Sequence, residues 1–264
     1  MKQKLAAVMS VAALVVTGCA QNSQVELDPK TVSNVHRITL VGPADPIAIA
    51  VVTQGELNAQ RAVAAAAAIP FAGVLGAAIA GGVAGGISAE VARETSKPLN
   101  DEVALEKYSY AAAMRDAVAA ELKGAGYDVT AVAVEHKLGG FAEKLDGVGG
   151  GQTDLIIDAV ATASCTDVGT DQKAHFRPVV HLLVKLTRPG EANPIMNKDF
   201  VYDDETAALD AFHVKGDSQY DIADYAALKA NVKGCLEGIK ASAPTLAKAV
   251  ASVVAAQKSV MAAK

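Results

Sequence analysis

The chain has 264 residues, and its 24 basic and 29 acidic side chains leave a formal net charge of −5. This acidic balance excludes general nucleic-acid binders, which need excess basic side chains to neutralise phosphates. Apolar residues make up 51% of the chain, but aromatic residues only 4%, and tryptophan is absent. We therefore expect a core of small aliphatic side chains, in one large domain or one domain with an insertion.

The first residues follow the order of an export signal. Lys2 and Lys4 precede an apolar run from Leu5 to Val16, which is too short to span a bilayer and is typical of a signal peptide. The run leads directly into Val-Thr-Gly-Cys, which ends at Cys19. A plain secretory signal with a chance cysteine is the alternative interpretation.

This segment resembles the lipobox of bacterial lipoproteins. The resemblance implies a signal peptide over residues 1–18, and a diacylglycerol and an N-acyl chain on Cys19, with no other cofactor. Several acyl chains together give stable anchoring. Ala20, rather than aspartate, follows the cysteine. By the sorting rule of Gram-negative lipoproteins, this implies an outer-membrane anchor, with the domain facing the periplasm.

Residues 19–35 are interpreted as the lipidated cysteine and a short tether, because they are polar and lack periodicity. The domain is predicted over residues 36–258. His36–Val41 alternates and ends at Gly-Pro, which predicts a first strand, and the apolar run Ile47–Val52 predicts its continuation.

An Ala/Gly-rich insertion is predicted over about residues 56–97, and residues 62–89 carry no charge. Small residues recur in it at four-residue spacing, which on a helix allows close approach of a second helix. These are Gly73, Ala77, Gly81 and Gly85. The segment resembles the glycine-zipper segments of some outer-membrane lipoproteins. We favour membrane contact or self-association over a flexible insertion, and expect it to be helical.

Asn100 is predicted to cap the next helix. This helix is predicted to end at Gly124 and Gly126. Its apolar stripe consists of Leu105, Tyr108, Ala112, Ala119 and Leu122. Strands are predicted at Tyr127–Val134, Asp154–Ala163, Arg177–Thr187 and Ile195–Tyr202, the last two forming a hairpin. Glycine-rich stretches between the first two of these strands predict a mobile loop.

The C-terminal part is predicted to be helical from Asp217 to Lys240, to break at Pro244 and to resume from Thr245 to Lys258. This element order predicts an α+β fold, with a mixed or antiparallel sheet and helices packed on one face.

Cys165 and Cys235 are the cysteines left after Cys19. An exported chain lies in an oxidising compartment, so we expect them to pair, and two buried free thiols are the alternative.

The junction Leu-Lys-Gly-Ala-Gly-Tyr-Asp-Val at 122–129 closes a helix and opens a strand, and Thr-Asp-Leu-Ile-Ile-Asp-Ala-Val follows at 153–160. The pattern over residues 36–55 and 100–240 resembles the envelope lipoproteins with an anticodon-binding-like domain. These include penicillin-binding-protein activators, the curli secretion channel lipoprotein and the amino-terminal domain of the Tol-system propeller protein. The resemblance implies a domain that binds partners or assembles, and is not an enzyme. The insertion departs from that family's pattern.

No hydrolase elbow or phosphate loop occurs in the sequence. The histidines match no zinc pattern, so no metal or catalytic residue is predicted, and His181 is interpreted as a strand-face side chain. The acidic run 203–205 is interpreted as a solvated turn. We expect a non-enzymatic outer-membrane lipoprotein whose partners are the membrane and an envelope protein or a second copy. The alternatives are a periplasmic solute- or glycan-binding lipoprotein and an envelope hydrolase with an unrecognised site.

Overall fold

A computed structural model describes residues 35–44, 48–54, 86–136, 140–145, 147–148, 152–169, 173–191, 193–203 and 210–259. Side chains are described for these residues except 86–93 and 256–259. The signal peptide, Cys19, most of the tether and most of the insertion lie outside the described residues.

Within the described ranges, seven strands form one mixed sheet and four α-helices accompany it, which confirms the α+β class. The strands are β1 (Arg37–Pro43), β2 (Ala50–Val52), β3 (Asp128–Val134), β4 (Leu155–Asp167), β5 (Phe176–Thr187), β6 (Met196–Tyr202) and β7 (Phe212–Val214). The helices are α1 (Gly86–Leu105), α2 (Tyr110–Gly124), α3 (Tyr225–Ala230) and α4 (Val232–Ser259), and a 3-10 turn spans Ser218–Tyr220.

The long strand β4 organises the sheet, whose order is β3-β1-β4-β5-β6-β7. β1 runs parallel to the first part of β4, with Ile38 opposite Leu155. β2 runs parallel to its last part, with Val52 opposite Thr166. β5 lies between β4 and β6 and is antiparallel to both. β3 is parallel to its neighbour β1, and β7 is parallel to its neighbour β6. The broken pair β1 and β2 is therefore the predicted first strand and its continuation.

The core lies between α2, α4 and one face of the sheet. Val180, Leu182, Val184 and Leu186 are all fully buried in it, which confirms the predicted alternation of β5. Each such side chain stabilises the fold by about 1.5–3 kcal/mol relative to an exposed position. A buried hydrogen bond of 2.7 Å between Tyr110 Oη and Ser242 Oγ joins α2 to α4.

The predicted helix start at Asn100 is wrong, because α1 already begins at Gly86 and runs through Pro98. The Asn100 side chain instead serves a tertiary contact: it accepts from Ile49 N at 3.1 Å and donates to Ile49 O at 2.9 Å. Ser109 caps the following helix, accepting from Ala112 N. The predicted insertion boundary near residue 97 therefore falls inside a helix.

The predicted break at Pro244 is also wrong, since α4 continues through it. Pro244 is exposed, so water can solvate the carbonyl group that its missing N–H leaves unpaired. Leu246 and Val250 are fully buried and extend the apolar face of Ile239 past the proline. Packing on both sides of Pro244 thus outweighs the local cost.

The predicted helix from Asp217 is interrupted, because Ile222 instead forms an antiparallel β-bridge with Phe176 at the start of β5. Its N–H donates to Phe176 O at 2.9 Å and its carbonyl oxygen accepts from Phe176 N at 2.8 Å. Asp224 then caps α3, accepting from Ala227 N at 2.8 Å. A tertiary strand bridge therefore replaces the first part of the predicted helix.

Candidate functional site

Buried polar side chains occupy the centre of the sheet face that points away from α2 and α4. They alternate with the core residues on β4 and β5, so the pleat places them together. The group comprises Asp158, Thr162, Ser164, Thr166 and His181. Polar groups removed from water must find hydrogen-bond partners, so each of these positions requires an explanation.

Asp158 is the most deeply buried of them, with no exposed surface. Its Oδ1 lies 2.8 Å from His136 Nε2, and its Oδ2 accepts from the Ala142 N–H at 2.8 Å. Lys185, its cross-strand partner on β5, places Nζ 3.7 Å from Oδ2 and 4.6 Å from the centre of the Phe141 ring. Asp158 thus joins β4, β5 and the segment after β3. We call these contacts the Asp158 latch.

His136 in the latch faces two acceptors. Its Nδ1 lies 3.0 Å from Val134 O and its Nε2 faces the Asp158 carboxylate, so both ring nitrogens donate in the imidazolium form. Burial by itself lowers the pKa of His136, but the hydrogen bonds to Asp158 and Val134 more than offset it. The pKa of His136 is therefore raised above its ordinary value.

A second imidazole–carboxylate pair lies further along the same face. His181 Nδ1 is 2.8 Å from Asp199 Oδ2, and His181 stands opposite Thr162 on β4. Its interpretation as a strand-face histidine is confirmed. The nearby Ser164 hydroxyl lies 2.7 Å from Thr166 Oγ1 and donates to Val179 O at 3.4 Å. The contacts of His181 with Asp199 and of Ser164 with Val179 each join neighbouring strands.

An ion-pair cluster anchors the segment after β7. Arg177 Nε lies 3.1 Å from Asp221 Oδ1, and His175 Nε2 lies 3.2 Å from Asp221 Oδ2. Asp203 is only 9% exposed, lies 3.8 Å from Arg177 and accepts from Gly216 N. The predicted solvated turn is therefore wrong for Asp203, because Arg177 recruits its carboxylate to the cluster. The rest of the acidic run lies outside the described residues.

Cys165 on β4 and Cys235 on α4 form a disulfide, as predicted, so the alternative of two free thiols is wrong. Both residues are fully buried, and their Cα atoms are 6.3 Å apart, within the normal range. The bond fastens the first turn of α4 to the last part of β4. It closes a loop with a sequence separation of 70 residues.

In the part of the chain that the structure describes, no group of three or more histidine, cysteine, aspartate or glutamate side chains could hold a metal ion. Among the described helices, none combines the length and apolar character needed to cross a bilayer. The predicted association residues Gly73, Ala77, Gly81 and Gly85 lie outside the described residues, as does Cys19.

No protein-family model, curated protein or solved structure matches this chain. The resemblance to envelope lipoproteins with an anticodon-binding-like domain therefore stays a prediction.

The latch residue His136 was not predicted from the sequence. The available signal was Asp158 itself, a carboxylate inside the apolar run Leu-Ile-Ile-Asp-Ala-Val. A buried strand carries a charge at such a position only when a partner reaches it. That signal predicts a partner but does not identify it.

Proposed function

We propose that this protein is a non-enzymatic outer-membrane lipoprotein, anchored through lipid on Cys19, whose α+β domain binds or assembles with other envelope components. The observation that carries the proposal is the disulfide between Cys165 and Cys235. Disulfides persist in oxidising compartments such as the periplasm and are rare in the cytosol. The bond therefore supports export separately from the first twenty residues, on which the prediction of export was based.

The contacts of the buried polar groups support a binding role over catalysis. The Asp158 carboxylate is occupied by His136, the Ala142 N–H and Lys185, so it holds a chain segment on the sheet. The Arg177–Asp221 pair likewise anchors the segment after β7. Such buried hydrogen bonds and ion pairs hold a scaffold in one conformation. A rigid scaffold of this kind suits a domain that presents surfaces to partners.

The anchoring part of the proposal is tested with Cys19→Ala. Cells expressing the wild-type chain or the variant are fed an alkyne fatty acid, and both label incorporation and membrane retention are measured. We expect Cys19→Ala to lose both, while the neighbouring control Ser23→Ala keeps both. Retained fatty-acid label in Cys19→Ala would contradict lipid attachment at this residue.

The binding part is tested by cross-linking in intact cells. The proposal expects one envelope component to be cross-linked reproducibly to the wild-type chain, and the purified component to bind the purified domain directly. The opposite result would be hydrolysis of envelope glycan or peptide by the purified full chain, with the activity lost when a single side chain of the domain is substituted. That result would establish an enzyme and overturn the proposal.

A further inference from the structure

The tether and the Ala/Gly-rich insertion join the domain at opposite ends of the sheet. The sequence analysis linked the tether to a membrane anchor and the insertion to membrane contact or self-association. We call the end where β1, β3 and β4 begin the base, and the opposite end, where β2 and β4 finish, the far end. The tether reaches the domain at Val35, next to the base. The insertion leaves after Gln54, which lies at the far end.

The far-end position of the insertion follows from its two described neighbours. Gln54 donates from Nε2 to Asp167 O at 2.8 Å and to Gly169 O at 2.9 Å, just beyond the last residues of β4. On the return side, Ser96 accepts from Val51 N, and Asn100 bonds Ile49, so α1 runs antiparallel to β2. Gly86 precedes Ser96 by ten residues, which places it about 15 Å further in the far-end direction.

The base position of the tether is fixed by Asp154. Its Oδ2 accepts from the backbone N–H groups of His36 at 3.0 Å and Arg37 at 2.8 Å. These bonds hold the pKa of Asp154 below its ordinary value. His36 O in turn accepts from Asp128 N at the start of β3. Val35 is buried, so the chain enters the packed domain at this point, next to the base.

The maximum length of the tether bears on how the domain would lie on a bilayer to which Cys19 is attached. The sixteen-residue span from Cys19 to Val35 covers at most about 55 Å. From Leu155 to Asp167, β4 extends for about 40 Å. Bringing the far end to the membrane would use about 40 Å of that maximum length to run back along the sheet, whereas placing the base against the membrane uses almost none of it.

We propose that the base of the sheet is the surface that faces the lipid bilayer, and that the far end, with both ends of the insertion, points away from the anchoring membrane. This inference rests on the proposed lipid attachment at Cys19. The base rim is formed by the C-terminal end of α2, the β5–β6 turn and the end of α4. The last of these is placed by a 3.3 Å hydrogen bond from Tyr127 Oη to Val254 O.

The test places a photo-reactive benzophenone amino acid at matched exposed positions of the full chain in cells. Lys123 and Asn193 lie at the base, and Lys173 and Gln219 at the far end, so each base position has a chemically similar far-end control. After irradiation, adducts with labelled phospholipid are quantified for each position. We expect adducts at the base positions to exceed those at the far-end positions several-fold. Equal or reversed yields would overturn the proposed orientation.

Two variants separate this inference from the proposed anchoring. Cys19→Ala should lose phospholipid adducts at all four positions, and if the wild-type chain takes up no fatty acid, the anchoring proposal itself fails. Doubling the tether with about sixteen Gly and Ser residues after Ser33 should bring base and far-end yields together, because a longer tether no longer restricts the domain. An unchanged ratio would contradict tether reach as the cause of the orientation.

Discussion

Asp158 has no exposed surface and depends on three partners for its stability as a carboxylate. We expect His136→Gln to lower the free energy of unfolding by about 2 kcal/mol, because the variant leaves a buried charge without its cationic hydrogen-bond donor. Urea unfolding at mildly acidic pH, followed by circular dichroism, measures the change. The matched control is His36→Gln at an exposed position, which should change stability little.

The same variant tests the pH dependence of the Asp158 latch. The pKa of His136 is raised in the folded state, so its contribution to stability is complete below its unfolded pKa of about 6.5. The contribution is lost as pH rises through the higher folded pKa. The wild-type chain should therefore lose more stability than His136→Gln as pH rises from about 6.5 through the raised folded pKa of His136. Parallel stability curves for the two proteins would show that His136 is not charged in the fold.

At the residue scale, the sequence predicted the disulfide pair but not the buried ion pairs, whose partners come together only in the folded structure. Cys165 and Cys235 could be paired because the predicted export would leave these two cysteines in an oxidising compartment, and the structure confirms the disulfide. His136 and Asp158 are also far apart in the chain, but many carboxylates could have met that histidine. Asp203 shows the same limit, because Arg177, 26 residues earlier, removes it from solvent.

At the scale of elements, the disulfide joins β4 to the first turn of α4 and should be a large part of their stability. In a Cys19→Ala background, we expect Cys165→Ala/Cys235→Ala to lower the free energy of unfolding by about 4 kcal/mol. This value follows from closing a loop of 70 residues in the unfolded chain. Urea unfolding with and without reductant measures it.

Reductant provides the control for that experiment. It should destabilise the protein that keeps both cysteines and leave the double variant unchanged. A double variant as stable as its parent would mean that the disulfide contributes nothing and that packing around α4 suffices. A decrease in the free energy of unfolding smaller than about 4 kcal/mol, with unfolding still cooperative, would agree with the expected direction.

Strands were easier to predict than helix boundaries in this chain. Alternation in β5 follows directly from a sheet with one face against the helices, so the pattern and the burial agree. Helix ends depend on partners that are distant in sequence. Asn100 has the chemistry of a cap but bonds Ile49 from within α1, and Pro244 has the chemistry of a break but lies on the exposed side of a well-packed helix.

At the scale of the whole molecule, composition and element order were enough for the α+β class, but not for the relation between tether and insertion. That relation depends on the register of β1 and β2 along β4, which places Ile38 beside Leu155 and Val52 beside Thr166. No local pattern contains this register. It separates two segments that are close in sequence by most of the length of the sheet.

The same register predicts that the insertion can be removed without unfolding the domain. Gln54 and the start of α1 both lie at the far end, so a short Gly/Ser linker can replace residues 56–85 there. The contacts of Ser96 and Asn100 with β2 remain in this variant. We expect cooperative unfolding, with a free energy within about 1 kcal/mol of the parent, because loop-closure entropy changes only slowly with length.

A longer deletion over residues 56–100 is the informative contrast, since it also removes Ser96 and Asn100. It takes away the side chains that bond the backbone of β2 and should destabilise the domain strongly. Both variants are compared in a Cys19→Ala background by urea unfolding. If the shorter deletion already abolishes cooperative unfolding, residues 56–85 contribute to the core. The domain would then need the insertion for its own stability, and not only for contact with a partner.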